Sequence, residues 1–317
     1  MNIQLSIPFN DDYQNFGKYR VNVIEKYQEN INNIYYALPV EVSPNARSFH
    51  TPYTLDDTCR LTEAIRSKNI NPMIVLNSSW SPLTAYTNGY LNTLYRALQQ
   101  LIDAGLYGVT IQNNYLMTSG MFEHLPGLHI GASINQMIDT YDKANNLVNI
   151  LPYKGIAWCR NINPNKELLA ETNKKFKEKY PNVTTTVLLN EGCMLYCPFK
   201  REHDNFIGML SYIDDDLNDY NKAIYQKYPE LNDTLNNINI NMGCLRMFAE
   251  NPELKKLSPY ITPEEFQSYV DFGCADVYKI AGRTSTIDWI AKTIEIYLSG
   301  KSEDGVVYLD TGIGGKK

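Results

Sequence analysis

The stretch NTLYRALQQLIDAGLYGVTIQN, residues 92–113, joins a helical pattern directly to a strand-like one. In its first part apolar residues recur at intervals of three and four, which predicts an amphipathic helix that ends at Gly105. Its second part, YGVTIQN (107–113), is a short apolar run of the kind that forms a buried strand. These residues therefore predict one helix–strand unit of an α/β fold.

The same alternation continues along the chain. Two further helical patterns, PEEFQSYVDFG (263–273) and STIDWIAKTIEIYLSG (285–300), carry a proline or a Ser/Thr cap at the start and a glycine at the end. The strand-like runs are eight in number: 3–9, 33–40, 72–78, 107–113, 128–134, 155–160, 184–192 and 276–283. Eight such units predict a parallel (β/α)8 TIM-like barrel, with a doubly wound open sheet as the alternative. We expect a single domain over 1–317, with an insertion at about 198–262 between the seventh and eighth strands.

Composition narrows the class of protein. Hydrophobic residues make up 44% of the 317 residues, which is enough for a sizeable core, and the formal net charge is −6. This charge argues against bulk nucleic acid as the main partner, and no nucleic-acid-binding module is visible. No apolar run approaches the ~20 residues of a membrane span, and the first residues do not look like a signal peptide, so we expect a cytoplasmic protein without a membrane partner. In that compartment the six cysteines are expected to be buried thiols, catalytic thiols or metal ligands.

The segment LNEGCMLYCPFKREH (189–203) holds the densest group of such residues. In a barrel, active sites lie at the carboxyl ends of the strands, and Cys193 and Cys197 follow the seventh strand-like run. Cys159 ends the sixth run, and Cys244 lies in the insertion. Thiolates favour zinc or iron–sulfur centres, so these four residues are candidate ligands. A single C-x3-C spacing is a weak signal, and buried, inert cysteines remain the alternative.

Four other residues are candidates for a catalytic role. His203 could be a metal ligand, a general base or a plain surface histidine, and Glu191 could be an active-site carboxylate or part of a turn. In the eighth run, strand alternation sends Lys279 and Tyr278 to opposite faces. Lys279 could contact an anionic substrate or pair with an inner carboxylate, and Arg283 could grip a carboxylate or phosphate bidentately. Ser133 stands near the end of the fifth run, and Asn135 and Gln136 follow it. These three residues could line the barrel mouth, which is the end of the barrel formed by the carboxyl ends of the strands.

Four segments resemble the collagenase-like peptidase family U32. They are DVYKIAGRTSTIDWIAKTIEIYLSG (276–300), TTTVLLNEGCMLYCPF (184–199), NMGCLRMF (241–248) and LHIGASINQ (128–136). The resemblance implies a barrel fold. Its better-characterised members, which take part in oxygen-independent ubiquinone hydroxylation or hydroxylate RNA, imply a [4Fe–4S] cluster held by four cysteines.

The resemblance also implies which residues hold the cluster. Cys193, Cys197 and Cys244 match the family's cysteine positions. The fourth ligand has no matching position: barrel geometry favours Cys159, its place after C-x3-C-P favours His203, and a three-cysteine cluster with one labile or non-cysteine position is the further alternative. The chain departs from the family in two ways. Ala281 replaces the glutamate of the family's K-I-E-G-R motif, which removes any acid role there, and the extra carboxyl-terminal domain of many members is not expected.

Three functions follow as hypotheses from these residues and from the resemblance. The first is an iron–sulfur enzyme that performs oxygen-independent hydroxylation or a related redox modification on a small molecule, RNA or peptide. The second is a metal-dependent peptidase, with zinc as the alternative metal. The third is a non-catalytic, cluster-bearing subunit whose protein partner performs the chemistry. The substrate itself cannot be identified from the residues.

Overall fold

A computed structural model describes residues 3–10, 12–39, 41–43, 53–213, 226–230, 251, 253 and 258–302, with the side chains of 210–213 excepted. Eight parallel strands close into a barrel in chain order. The strands are β1 (Leu5–Pro8), β2 (Ile31–Ala37), β3 (Asn71–Leu76), β4 (Gly108–Ile111), β5 (His129–Ala132), β6 (Gly155–Ala157), β7 (Thr184–Leu188) and β8 (Val277–Lys279). Each lies within or overlaps one of the eight predicted runs. The predicted (β/α)8 barrel is therefore confirmed, and the open sheet is wrong because β8 pairs with β1.

Helices follow the strands around the outside of the barrel. Those of the described residues are α1 (Phe16–Tyr19), α2 (Glu25–Tyr27), α3 (Leu55–Arg66), α4 (Asn88–Asp103), α5 (Tyr115–Thr118), α6 (Tyr141–Ile150), α7 (Lys166–Lys179), α8 (Lys200–Ile213), α9 (Pro263–Asp271) and α10 (Ile287–Ser299). A π-helical turn, Arg20–Ile24, joins α1 to α2. Helix α4 begins earlier than the pattern predicts because the Thr87 hydroxyl accepts the Tyr90 N–H and caps it there.

The predicted insertion begins with α8, and much of the remainder of 198–262 lies outside the described residues. None of the described helices has the length and apolar character needed to cross a lipid bilayer.

The outer faces of the strands form the main hydrophobic core. Ile34, Val109 and Val187 are fully buried beneath the helices, and the Tyr278 ring packs edge-on against Phe266 of α9 at 5.0 Å. Lys279 instead lines the inside of the barrel. The predicted opposite directions of Tyr278 and Lys279 are therefore observed, and the strand separates an apolar outer shell from a more polar interior.

Strand β8 is shorter than the sequence pattern indicates, since residues 280–283 lie beyond its end. Ile280 still donates its N–H to the Ser6 carbonyl of β1, and the chain turns away at Gly282. Its φ of +130° is in a region that side-chain-bearing residues rarely adopt, and a Cβ there would lie 2.4 Å from the Trp289 ring. The backbone therefore leaves the sheet at this point, and Arg283 sits on the following loop with 2% exposure.

Candidate active site at the barrel mouth

The carboxyl ends of β6 and β7 bring an arginine and a glutamate together. Arg160 follows β6 and Glu191 follows β7, and the Arg160 Nη1 donates to Glu191 Oε1 in an ion pair. The guanidinium is 3% exposed, and its Nη2 also donates to Asn135 Oδ1 at 3.0 Å. Burial lowers the pKa of Arg160, but the acidic groups around it, of which Glu191 has the largest effect, together outweigh burial and raise the pKa. Three strand ends are thus joined by one buried cation.

Buried amides fix the end of β7 on both sides. The Asn190 side chain accepts the Ala281 N–H at 2.7 Å and donates to the Ala281 carbonyl at 3.2 Å, which ties β7 to the segment after β8. On the other side, Asn163 Nδ2 donates to the carbonyls of Leu188 and Pro259. The turn that carries the two cysteines therefore starts from a strand end whose backbone groups are held in place.

Cys193 and Cys197 lie in this turn as free, partly buried thiols that are close enough for each to shift the pKa of the other. The chain can bring them together because Tyr196, between them, has a φ of +50°. Its N–H donates to Asn161 Oδ1 at 3.1 Å, which attaches the turn to the segment after β6. The C-x3-C spacing thus brings two thiols close together at the end of β7.

The two thiols have different proton affinities. The hydrogen bond from Cys193 lowers the pKa of Cys197, and the Phe199 N–H and the Lys200 charge lower it further against the effect of burial. The same hydrogen bond, together with burial and the nearby Glu191 charge, raises the pKa of Cys193. At neutral pH the arrangement favours a Cys193 thiol that donates to a Cys197 thiolate.

Helix α8 begins directly after this turn and carries His203. The Lys200 N–H donates to the Cys197 carbonyl at 3.2 Å, and Lys200 Nζ pairs with Asp204 Oδ2 at 2.6 Å. His203 is half-buried, and burial lowers its pKa despite the raising effect of Asp204. Its Nε2 atom is buried and has no hydrogen-bond partner among the described residues. His203 is therefore a neutral imidazole near the cysteine turn, with one ring nitrogen available.

Cys159 lies apart from the cysteine pair. It is fully buried, its sulfur lies 3.8 Å from Met137 Sδ and accepts the Asn161 N–H, and burial raises its pKa. Within the described part of the chain, no three His, Cys, Asp or Glu side chains lie close enough together to hold a metal ion. Cys193 and Cys197 are thus together, whereas Cys159 and His203 do not join them in such a group. Cys244 lies outside the described residues, so the predicted ligand set stays a prediction.

Two other predicted residues lie in the barrel or beside it. Lys279 points into the barrel with its Nζ 3.7 Å from the centre of the Tyr35 ring. Arg283, expected at the top of the strand to grip an anion, is almost completely buried on the loop after β8. Cys274 is buried before β8 with its sulfur 3.7 Å from the Lys166 carbonyl, at the amino end of the strand and so at the opposite end of the barrel from Cys193 and Cys197.

Sequence reasoning missed Arg160 and the supporting role of Asn163. Arg160 could have been predicted as a site residue, since it is a charged residue at the end of a predicted strand, next to Cys159. Its partner Glu191 is 31 positions away, and only the closed barrel brings the two strand ends together. Asn163 had no distinctive signal, because a single asparagine after a strand is typical of a turn.

Comparisons with known proteins agree with this architecture. The chain is 25% identical over 279 residues to a protein of Methanocaldococcus jannaschii named "Uncharacterized protease MJ1657", and the match covers 87% of this chain and 74% of that protein. The solved structure of the U32 peptidase Mk0906 superposes with a TM-score of 0.55 and 12% identity over 88% of this chain and 93% of that one. No family model matches the chain. The two matches confirm the resemblance that the sequence motifs predict.

Proposed function

This chain is similar to the U32 peptidase family, and from that premise we propose that it is an iron–sulfur enzyme. Its cluster is held at the barrel mouth by Cys193 and Cys197, and it performs an oxygen-independent hydroxylation or a related redox modification. The observation that carries the proposal is that these two thiols lie close enough to shift each other's pKa at the end of β7, where active sites of barrel enzymes lie. The reducing conditions that such a cluster needs fit a cytoplasmic location.

The chemistry of the donors fits an iron–sulfur cluster. Two adjacent sulfur atoms, one of which favours the thiolate, supply half of a four-thiolate ligand set. In the proposal Cys244 is the third ligand, and either Cys159 or His203 is the fourth. His203 offers a buried Nε2 with no hydrogen-bond partner among the described residues, whereas Cys159 is a protonated thiol held near Met137. Zinc prefers the same donor types and is the alternative metal.

The chain's own residues support such a centre electrostatically. A bound cluster supplies one-electron transfer or an open iron site that acts as a Lewis acid. Arg160 places a buried positive charge beside Glu191, Cys193 and Cys159, which offsets the negative charge of thiolate ligands. Glu191 uses one carboxylate oxygen in its ion pair, and its Oε2 has no hydrogen-bond partner in the described part of the chain. In the proposal Glu191 Oε2 holds or accepts a proton during the reaction.

A metal-dependent peptidase is the second candidate. The M. jannaschii relative is named as a protease, and the carboxylate of Glu191 at the mouth could serve as a general base for a metal-bound water. The two candidates differ in the metal that they need, so metal analysis separates them.

The decisive experiment is iron and sulfide analysis of the protein purified without oxygen, together with its visible absorption spectrum. We expect about four iron and four sulfide ions per chain and a brown colour. The substitutions Cys193→Ala, Cys197→Ala and Cys244→Ala should each abolish the colour and the bound iron. Cys59→Ala is the matched control, because Cys59 is also a partly buried free thiol but lies in α3. Cys274→Ala should likewise retain its iron.

Two results would contradict the proposal. Iron retained at full stoichiometry in both the Cys193 and Cys197 variants would remove these residues from the centre. A colourless protein with one zinc ion per chain would favour the peptidase instead.

A further inference from the structure

Helix α8 crosses the mouth of the barrel. It begins at Lys200, directly after the cysteine turn that follows β7, and its residue Gly208 lies against Ser78 and Trp80, which follow β3. Because the eight strands close in chain order, β3 and β7 stand on opposite sides of the barrel. Nine helical residues span about 12 Å, close to the diameter of about 15 Å that eight tilted strands enclose. The helix therefore passes over the barrel axis.

The far end of this crossing rests on a glycine. Gly208 is buried, and a Cβ at its position would lie 2.3 Å from Ser78 Oγ and 3.0 Å from Trp80 Cβ. The close approach of α8 to the loop after β3 therefore requires a residue without a side chain. Ile207, the residue before it, is 7% exposed. The helix thus makes a close contact with the rim of the barrel opposite the cysteine turn.

The middle of α8 lies near the candidate active site. The negative charge of Asp204 is among those that raise the pKa of Arg160, which places the two side chains close together. Asp204 also pairs with Lys200, one turn earlier in the helix. Arg201 and Glu202 are exposed. One face of the helix is therefore turned towards the mouth and another towards solvent.

A cavity inside the barrel lies beneath the helix. Gly131, Gly155 and Ala157 leave a space of about 110 Å³ that extends from Tyr107, before β4, to Leu188 at the carboxyl end of β7. None of the described residues that line this space belongs to α8. The helix therefore covers the cavity at the mouth without filling it.

Polar atoms at the mouth are buried without partners while the helix is in this position. They are Arg160 Nε, Glu191 Oε2 and His203 Nε2, and none has a hydrogen bond among the described residues. Burying such atoms is unfavourable because the water contacts that they lose are not replaced. A bound molecule that donates to Glu191 and accepts from Arg160 would replace these contacts. The observed position of α8 is thus less favourable over an empty site than over a filled one.

We infer that α8 is a lid, which lifts away from Ser78 and Trp80 to admit a substrate and returns over the filled site. Its fixed end is the cysteine turn, which Asn161 Oδ1 attaches to the segment after β6 through the Tyr196 N–H. The inference rests on the proposed function for the position of the reacting centre. Its test observes the helix itself, so failure of the lid is distinguishable from absence of iron.

The three tryptophans of the chain provide the test. Trp80 lies at the contact with α8, whereas Trp158 is fully buried and Trp289 lies in α10. The full-length protein is labelled with fluorotryptophan, and the Trp80 resonance is assigned by its loss in Trp80→Phe. Lids move in microseconds to milliseconds, so we expect ¹⁹F relaxation dispersion at Trp80 and not at the other two tryptophans. An open population of about 1–10% would produce this dispersion.

Substitution of Gly208 should shift the same equilibrium. Gly208→Ala and Gly208→Val each introduce the Cβ that does not fit beside Ser78, so the ratio of closed to open lid should fall about tenfold or more. The Trp80 resonance should then move towards the position of the minor state in the wild type, while the Trp158 resonance stays in place. Gly17→Ala is the matched control and should leave Trp80 unchanged, because Gly17 lies in helix α1 and a Cβ there meets no atom within 4 Å.

Three results would overturn the inference. A Trp80 resonance without dispersion in the wild type would make α8 a fixed cap, and this measurement needs no variant. Dispersion of equal size at all three tryptophans would indicate a motion of the whole barrel. A Trp80 resonance that keeps its wild-type position in both Gly208 variants, with folding verified by circular dichroism, would show that the helix does not rest on the opposite rim.

Discussion

Replacing Arg160 by methionine removes the one cation that joins the ends of β5, β6 and β7. The Arg160 side chain is 3% exposed and that of Glu191 19%, so the variant leaves a largely buried carboxylate without its partner. Removing one member of a buried pair costs about 3–5 kcal/mol of unfolding free energy, and the partial exposure of Glu191 points to the lower end, about 3 kcal/mol. The lost hydrogen bond to Asn135 is included in this figure.

Glu191→Gln should have a smaller effect, about 2 kcal/mol, because the amide can still accept a hydrogen bond from the guanidinium. The double variant Arg160→Met/Glu191→Gln no longer contains an unpaired charge, so we expect it to be more stable than the sum of the two effects by about 1–3 kcal/mol. Urea denaturation followed by circular dichroism at pH 7 measures all four proteins. A coupling energy below about 0.5 kcal/mol would refute the reasoning, since independent sites differ from additivity by no more than that.

Two further predictions concern the barrel interior. Burial lowers the pKa of His129 to about 4 from an ordinary value of 6.5, so the stability that this neutral histidine contributes is complete above about pH 6.5. It should be lost as the pH falls towards 4, by about 3 kcal/mol at most. Urea denaturation should show this loss in the wild type but not in His129→Gln, and parallel pH profiles would contradict it. Gly155→Ala should lower the unfolding free energy by about 1–3 kcal/mol, because the new Cβ would lie 2.8 Å from His129 Nε2, whereas Gly131→Ala should be nearly neutral. Equal denaturation midpoints for the two alanine variants would argue against this packing.

The sequence is sufficient to predict the barrel because its signals are local. Apolar strand-like runs occur eight times and three helical patterns end at a glycine, so each strand is recognisable without knowledge of its neighbours. The position of Cys193 and Cys197 at the mouth follows from the same pattern, since a residue after a barrel strand lies at its carboxyl end. The opposite directions of Tyr278 and Lys279 follow from strand alternation.

Features that depend on distant residues could not be predicted in this way. The Arg160–Glu191 pair and the hydrogen bonds between Asn190 and Ala281 join strand ends that are 31 and 91 positions apart. The cavity inside the barrel depends on glycines in β5 and β6 that face a tyrosine in β2. In the sequence alone, a glycine within a strand indicates only that the strand is weak at that position. The need for glycine at position 282 depends on the Trp289 ring, which belongs to the next helix.

The hydrogen bonds of Asn190 also bear on the substitution of the family's glutamate by Ala281. Position 281 meets Asn190 only through its backbone N–H and carbonyl, so this contact does not constrain the side chain that the position carries. The 5% exposure of Ala281 means that a glutamate there would need a partner for its buried charge. Exchange for alanine therefore removes an acid while the strand end that carries Cys193 and Cys197 stays in place. In the proposed enzyme, proton transfer therefore falls to other groups, and Glu191, two residues before Cys193, is a carboxylate placed for it at the end of β7.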